Sequence, residues 1–208
     1  RTRMQAALPV TAEHRIATWR RPLEALRDRL DGVTRDAARL QLGGPVGDRA
    51  GLGAETGGIA EATARRLGLT EPGNAWHTER LGLVAYGDWL SHVAGALGKT
   101  GADIALMAQQ GVDAARLGDG GASSSMPHKS NPVRAELLVA LARFAAAQAG
   151  ALHGALVHEQ ERSGSAWMLE WMVLPQLAAA AGRSLGAAQE LVGSLEAVGD
   201  DAARSRDA

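Results

Sequence analysis

The stretch from Gly120 to Pro132, Gly-Gly-Ala-Ser-Ser-Ser-Met-Pro-His-Lys-Ser-Asn-Pro, gathers most of the reactive and anion-binding side chains of the chain. Three consecutive hydroxyls, Ser123, Ser124 and Ser125, follow a glycine pair in a segment of turn formers, so it reads as a loop. Asn131 is a strong N-cap type, and Pro132 suits a first helical position, where its missing N–H costs nothing. Free N–H groups and the positive end of that helix would then lie near the serines and Lys129, a place that stabilises a carboxylate. Lys129 shares an arginine-rich chain with only one other lysine, Lys99. A Ser/Gly linker ending in a well-made cap explains the same composition. Ser123 with His128 is no hydrolase triad, because no G-x-S-x-G elbow follows a strand.

Two further clusters hold candidate groups. Trp76-His-Thr-Glu-Arg80 opens a long helical pattern, with Thr78 as its expected N-cap and His77 free to line a site. His158-Glu-Gln-Glu-Arg162 is read as the end of a helix, which puts His158, Glu159 and Arg162 on one face and Arg162 against the dipole. A solvated helix end is the plainer reading of that cluster. His158, Glu159 and Glu161 make a poor metal set, since no second histidine follows four residues along.

The elements that must carry these groups are helical. After Pro9, Thr11 caps a helix with Ile16, Trp19, Leu23, Leu26 and Leu30 on one face, which Pro22 should kink or divide. Gly43 to Gly47 is a turn, and a short helix from Thr56 to Leu67 stops at Gly68. Three long patterns follow: Thr78 to Val112; Asn131 to Arg162, through Leu137, Leu141, Phe144, Leu152 and Leu156; and Trp167 to Val198, through Trp171, Leu174, Ala178, Ala181, Leu185, Ala188 and Leu195. At roughly 30 residues each would be about 45 Å long, which suits parallel packing in a bundle. Ala and Gly outside the stripes allow close approach on a second face and favour oligomerisation. No alternating run of strand length is present, so the expected fold is an all-α long-helix bundle over 1–198, with a polar tail at 199–208.

Composition narrows the partners. A net charge of −1 without a basic run gives no nucleic-acid footprint. With no cysteine, neither disulfides nor thiolate metal sites are available. No apolar run is read as long enough to span a membrane, and nothing resembles a signal peptide, so the cytoplasm is the expected compartment. The chain opens on Arg1 inside what looks like a motif, and reads as part of a longer protein.

Ala122-Ser-Ser-Ser-Met-Pro-His-Lys-Ser-Asn-Pro132 closely resembles the G-S-S-x-M-P-x-K-x-N-P signature of the fumarase/aspartase superfamily of lyases, with Ala122 in place of the usual glycine. Arg1-Thr-Arg-Met-Gln5 resembles its R-T-H-x-Q segment, with Arg3 where most members carry histidine. Arg3 is no proton shuttle at neutral pH but can grip a carboxylate bidentately. Along the chain, Leu40-Gln-Leu-Gly-Gly44, Trp76 to Arg80, Leu97-Gly-Lys99, Asp103 to Gln109 and His158 to Ser163 look like the bacterial 3-carboxy-cis,cis-muconate cycloisomerases; adenylosuccinate lyases are the nearest rivals.

This resemblance implies lactone closure by a substrate carboxylate, with the carbanion held as an aci-carboxylate. Ser123 would be the proton donor, supported by Lys129. Thr2, Arg3, Gln5, Ser124, Met126, Asn131, His77, His158 and Arg162 would bind substrate, and no cofactor or metal is implied. It further implies a homotetramer whose sites draw on three subunits, with an earlier motif expected before Arg1. Arg1–Gln5 and the signature loop are expected at different ends of a long helix. Residues 1–208 alone would then be helical, oligomeric and inactive. A non-catalytic helical scaffold is the alternative of another class.

Overall fold

The structure, a computed structural model, describes residues 1–118, 121–122, 125–126 and 129–199. Five helices dominate: α1 (Ala12–Ala37), α2 (Thr56–Leu67), α3 (Leu81–Met107), α4 (Val133–His153) and α5 (Gly164–Gly193). Two short antiparallel ribbons join them: β1 (Ala115–Leu117) with β4 (Leu195–Val198), and β2 (Gly121–Ala122) with β3 (Ser130–Asn131). The chain divides into two compact units, one of Arg1–Ala25, Val93–Arg143 and Gly182–Ala208, the other of Leu26–His92 and Phe144–Ala181.

Thr11 caps α1 as expected, its Oγ1 accepting from the His14 N–H at 3.0 Å. Pro22 lies inside α1 without dividing it. Gly44 and Gly47 both take positive φ in the Gly43–Gly47 turn, and left-handed Gly68 ends α2.

The ends of the long helices differ from expectation. α3 starts at Leu81, where the Arg80 carbonyl accepts from the Val84 N–H, so Thr78 does not cap it; it stops at Met107 rather than Val112. α4 starts at Val133, with the Pro132 carbonyl accepting from the Glu136 N–H. Asn131 is therefore not its cap: it pairs in β3, and its Nδ2 donates to the Gly121 carbonyl at 3.3 Å. α4 gives way to a 3-10 turn at Gly154–Leu156, well short of Arg162, and β4 takes residues expected to end α5. One helix among the described residues, Val133–Leu156, is long and apolar enough to cross a membrane, contrary to the sequence reading. Its few charges are spread among alanines and leucines, so no single run stands out by eye.

The buried stripes also shift. α5 buries Ala166, Val173, Leu177, Ala181, Ser184, Ala188 and Leu191, leaving Trp171 and Leu185 outward; α4 buries Ala135, Leu138, Ala145, Ala149 and Leu152, leaving Phe144 outward. Ile16 and Leu30 of the α1 stripe are exposed as well, while Trp19 and Leu26 are buried. Glycines on α3 account for the small residues where it meets α4. A Cβ on Gly98 would stand 2.4 Å from the Ala142 Cβ, and one on Gly101 would stand 2.6 Å from the Ala135 carbonyl oxygen. Backbones this close leave no room for large side chains between them.

Candidate active site

In the first unit, Arg1–Gln5 forms a two-residue hairpin. Thr2 and Gln5 exchange backbone hydrogen bonds of 3.0 and 2.9 Å, and Arg3 and Met4 between them both adopt positive φ, the geometry of a type I′ turn. Neither is glycine, so the turn stores strain that tertiary contacts must offset. Arg3 and Met4 line a cavity of about 390 Å³, together with Arg15, Asp103, Leu106 and Gln109.

Asp103 anchors that cavity. It accepts from the Trp19 indole N–H at 2.7 Å, pairs with Lys99 one turn earlier on α3, and lies 3.6 Å from Arg15. Burial works to raise its pKa, but Lys99, Trp19 and Arg15 together hold the carboxyl below its ordinary value.

A second cleft, of about 810 Å³, is lined by Met126, Lys129 and Asn131, and by Arg116, Glu136 and Gln109. Leu106 and Gln109 belong to both walls. The Arg1–Gln5 hairpin and the described signature residues Met126, Lys129 and Asn131 therefore lie at the same C-terminal turns of α3, not at opposite ends of a helix. The Arg15 and Trp19 contacts to Asp103 set the start of α1 beside the end of α3. The signature segment is bracketed by the β2–β3 stem, which pairs Gly121 with Asn131 and Ala122 with Ser130. Ser123 and Ser124 lie outside the described residues.

His77, His158 and Arg162 belong to the second unit. His77 is 6% exposed. Arg162 Nη2 donates to the Gly44 carbonyl at 2.9 Å, lies 3.4 Å from both His77 nitrogens, and its guanidinium sits 5.0 Å from the Trp167 ring. His77 packs edge-on against Trp167. Because α4 ends at His153, Arg162 does not sit at its C-terminus, and His158, Glu159 and Arg162 do not share a helix face.

Burial, then Arg162 and Arg80, lowers the His77 pKa; burial, then Arg80, lowers that of His158 against the opposing pull of Glu170 and Glu159. Neither ring nitrogen of His158 meets a hydrogen-bond partner in good geometry. Beside them Arg80 makes a two-pronged pair with Glu170, at 2.9 and 2.5 Å, and stacks 4.5 Å from the Trp76 ring.

Sequence reasoning gave no role to Arg15 or the Arg80–Glu170 pair, and placed Trp19 only on the apolar face of the first helix. The i,i+4 spacing of Lys99 and Asp103 was a signal for an ion pair, whereas partners 84 and 90 residues apart leave no local trace.

A lyase family model matches residues 1–146, and the chain belongs to that family. It is 40% identical to the 3-carboxy-cis,cis-muconate cycloisomerase of Pseudomonas aeruginosa, covering 99% of this chain and 45% of that protein. It is 34% identical to the nitrosuccinate lyase of Streptomyces davaonensis, over 94% of this chain and 43% of that protein. The crystal structure of the 3-carboxy-cis,cis-muconate lactonizing enzyme from Pseudomonas putida superposes with a TM-score of 0.89 at 37% identity, over all of this chain and 45% of that one. The chain thus spans less than half the length of these relatives.

Proposed function

We propose that the whole protein is a cytoplasmic cycloisomerase that closes 3-carboxy-cis,cis-muconate to its lactone. One substrate carboxylate oxygen adds to an alkene carbon, and the electron pair moves onto the neighbouring carbon, where it is held as an aci-carboxylate. A proton then neutralises that carbon. Ser123 is the proposed donor, with Lys129 stabilising the alkoxide and Arg3, Asn131, Thr2, Gln5, Ser124 and Met126 holding the substrate. The isomerisation transfers no electrons to an acceptor, so the reading calls for no redox cofactor.

The observation that carries this reading is the pair of adjoining clefts in the first unit, with Arg3 in one, Lys129 in the other, and Leu106 and Gln109 shared. The 40% identity to a protein named for this reaction supports it. Adding 3-carboxy-cis,cis-muconate to the whole protein should abolish the ultraviolet absorbance of the conjugated diene without releasing a second product. Fumarate released from adenylosuccinate, with the muconate untouched, would replace it by the β-elimination reading, which the likeness to a nitrosuccinate lyase favours.

The proposed assembly is a homotetramer. On α5, Trp171, Ala178, Leu185 and Val192 share one heptad position and are all outward, with Met168 and Met172 alongside. On α4, Phe144 and Val133 are exposed too. Such stripes suit burial against copies of themselves. This reading places Val133–Leu156 in the assembled bundle, not in a membrane.

A further inference from the structure

Arg162 is exposed and forms no ion pair among the described residues, although Glu159 and Glu161 are its near neighbours in sequence. Uncharged groups hold it instead: the Gly44 carbonyl, the His77 ring and the Trp167 face. Its short polar contacts all run through Nη2, so Nε and Nη1 keep their donors. Burial, then the two neighbouring arginines, lowers the His77 pKa and keeps that ring neutral at neutral pH. A carbonyl dipole and a neutral ring orient a guanidinium without cancelling its charge. That is the condition for gripping a carboxylate bidentately.

The carbonyl that grips Arg162 is itself held. Just beyond the Gly43–Gly47 turn, Arg49 adopts a φ of 60°, a left-handed conformation that costs a residue with a side chain. Its backbone N–H donates to the Gly43 carbonyl at 3.0 Å and its Nε to the Leu42 carbonyl at 2.8 Å, which closes the turn. Nη2 pairs with Glu71 at 2.7 Å and Nη1 donates to the Gly73 carbonyl at 3.2 Å, tying the turn to the loop after α2. Both side chains of that pair are largely buried, at 15% and 14% exposed. The turn so fixed also lies against His77: a Cβ on Gly43 would stand 3.1 Å from its Nε2, and one on Gly47 3.2 Å from its Nδ1. We propose that Arg49, fixed by Glu71, is a positioning residue that aims Arg162 at one substrate carboxylate through the Gly44 carbonyl. Arg49 acts wholly within the second unit and touches no substrate atom. The inference rests on the cycloisomerase reading for its substrate alone.

The test is a double-mutant cycle in the whole protein, read as KM for 3-carboxy-cis,cis-muconate and Kd for tricarballylate, an unreactive tricarboxylate. Arg162→Gln should raise both about 10- to 100-fold, the worth of a lost charge-assisted bond. Arg49→Asn keeps a residue that tolerates the left-handed backbone but removes the guanidinium fork. It should raise both constants about 3- to 10-fold with kcat nearly unchanged, and Arg49→Lys should recover part of the loss. In the Arg162→Gln background Arg49→Asn should add almost nothing, because its effect passes through Arg162. The same fold loss in both backgrounds, or none in either, alongside normal wild-type turnover, would overturn the inference and spare the cycloisomerase reading. Should Arg49→Asn lose its helical circular dichroism, Glu71→Gln carries the same cycle with a smaller shift, since it leaves both carbonyl bonds of Arg49 in place. A wild type inert towards the muconate, yet coupling Arg49 to Arg162 in tricarballylate binding, would keep the positioning role and sink the reaction. A wild type that neither turns over the muconate nor binds tricarballylate would overturn both.

Discussion

At the scale of single residues, the proposed proton donor and the buried charges give opposite kinds of prediction. Ser123→Ala in the whole protein should lower turnover roughly 10²- to 10⁴-fold with thermal stability unchanged; normal turnover would pass the role to Ser124 or Ser125. Glu170→Gln should do the reverse, because it strands Arg80, whose side chain and that of Glu170 are 6% and 7% exposed. Losing one partner of a buried pair costs about 3–5 kcal/mol, measurable by denaturant melts. His77 and His158 set an acid limb. Their folded pKa values lie below the ordinary value of about 6.5, so on acidification the unfolded chain takes up these protons first. Stability should fall as pH drops below about 6.5, and His77→Asn with His158→Asn should flatten that fall. The residues of the signature were legible because their order and spacing are unusual. The Arg80–Glu170 pair was not, since nothing local in Arg80 says whether its helix turn faces water or a glutamate 90 positions away.

At the scale of elements, periodicity gave the helices and misjudged which face is buried. In α5 the expected stripe mixed two faces: Ala181 and Ala188 are buried as read, but Trp171 and Leu185 point outward, and Val173, Leu177, Ser184 and Leu191 turn inward instead. A helix with two apolar faces offers a choice that hydrophobicity alone does not resolve, and close backbone approach decides it. Helix ends were misplaced where the signal was tertiary: Asn131 has the chemistry of a cap, but the β2–β3 stem claims its backbone. The glycines of α3 test this account. Gly101→Ala should destabilise by about 1–3 kcal/mol despite alanine's better helix propensity, because its methyl meets the Ala135 carbonyl and the Leu138 Cβ. Gly95→Ala meets nothing within 4 Å and should stabilise by up to about 1 kcal/mol. Equal melting midpoints for the two variants would contradict close approach as the organising constraint.

At the scale of the whole molecule, the outward stripe of α5 predicts self-association. Trp171→Glu should shift the sedimentation coefficient towards smaller species while leaving helical circular dichroism intact; an unchanged distribution would assign assembly to another face. The five tryptophans give this step an optical signature. Trp19, Trp76 and Trp89 each donate an indole N–H within the protein, to Asp103, to the Leu40 carbonyl and to the Leu26 carbonyl. Trp171 is 65% exposed and stacks on Trp167 with ring centres 6.0 Å apart. The red edge of the emission spectrum should therefore carry a contribution from Trp171, the tryptophan that a water-soluble quencher such as iodide can best reach. Dilution below the dissociation constant should move that edge to longer wavelength and raise the quenchable fraction together, so the protein carries its own dye for counting subunits.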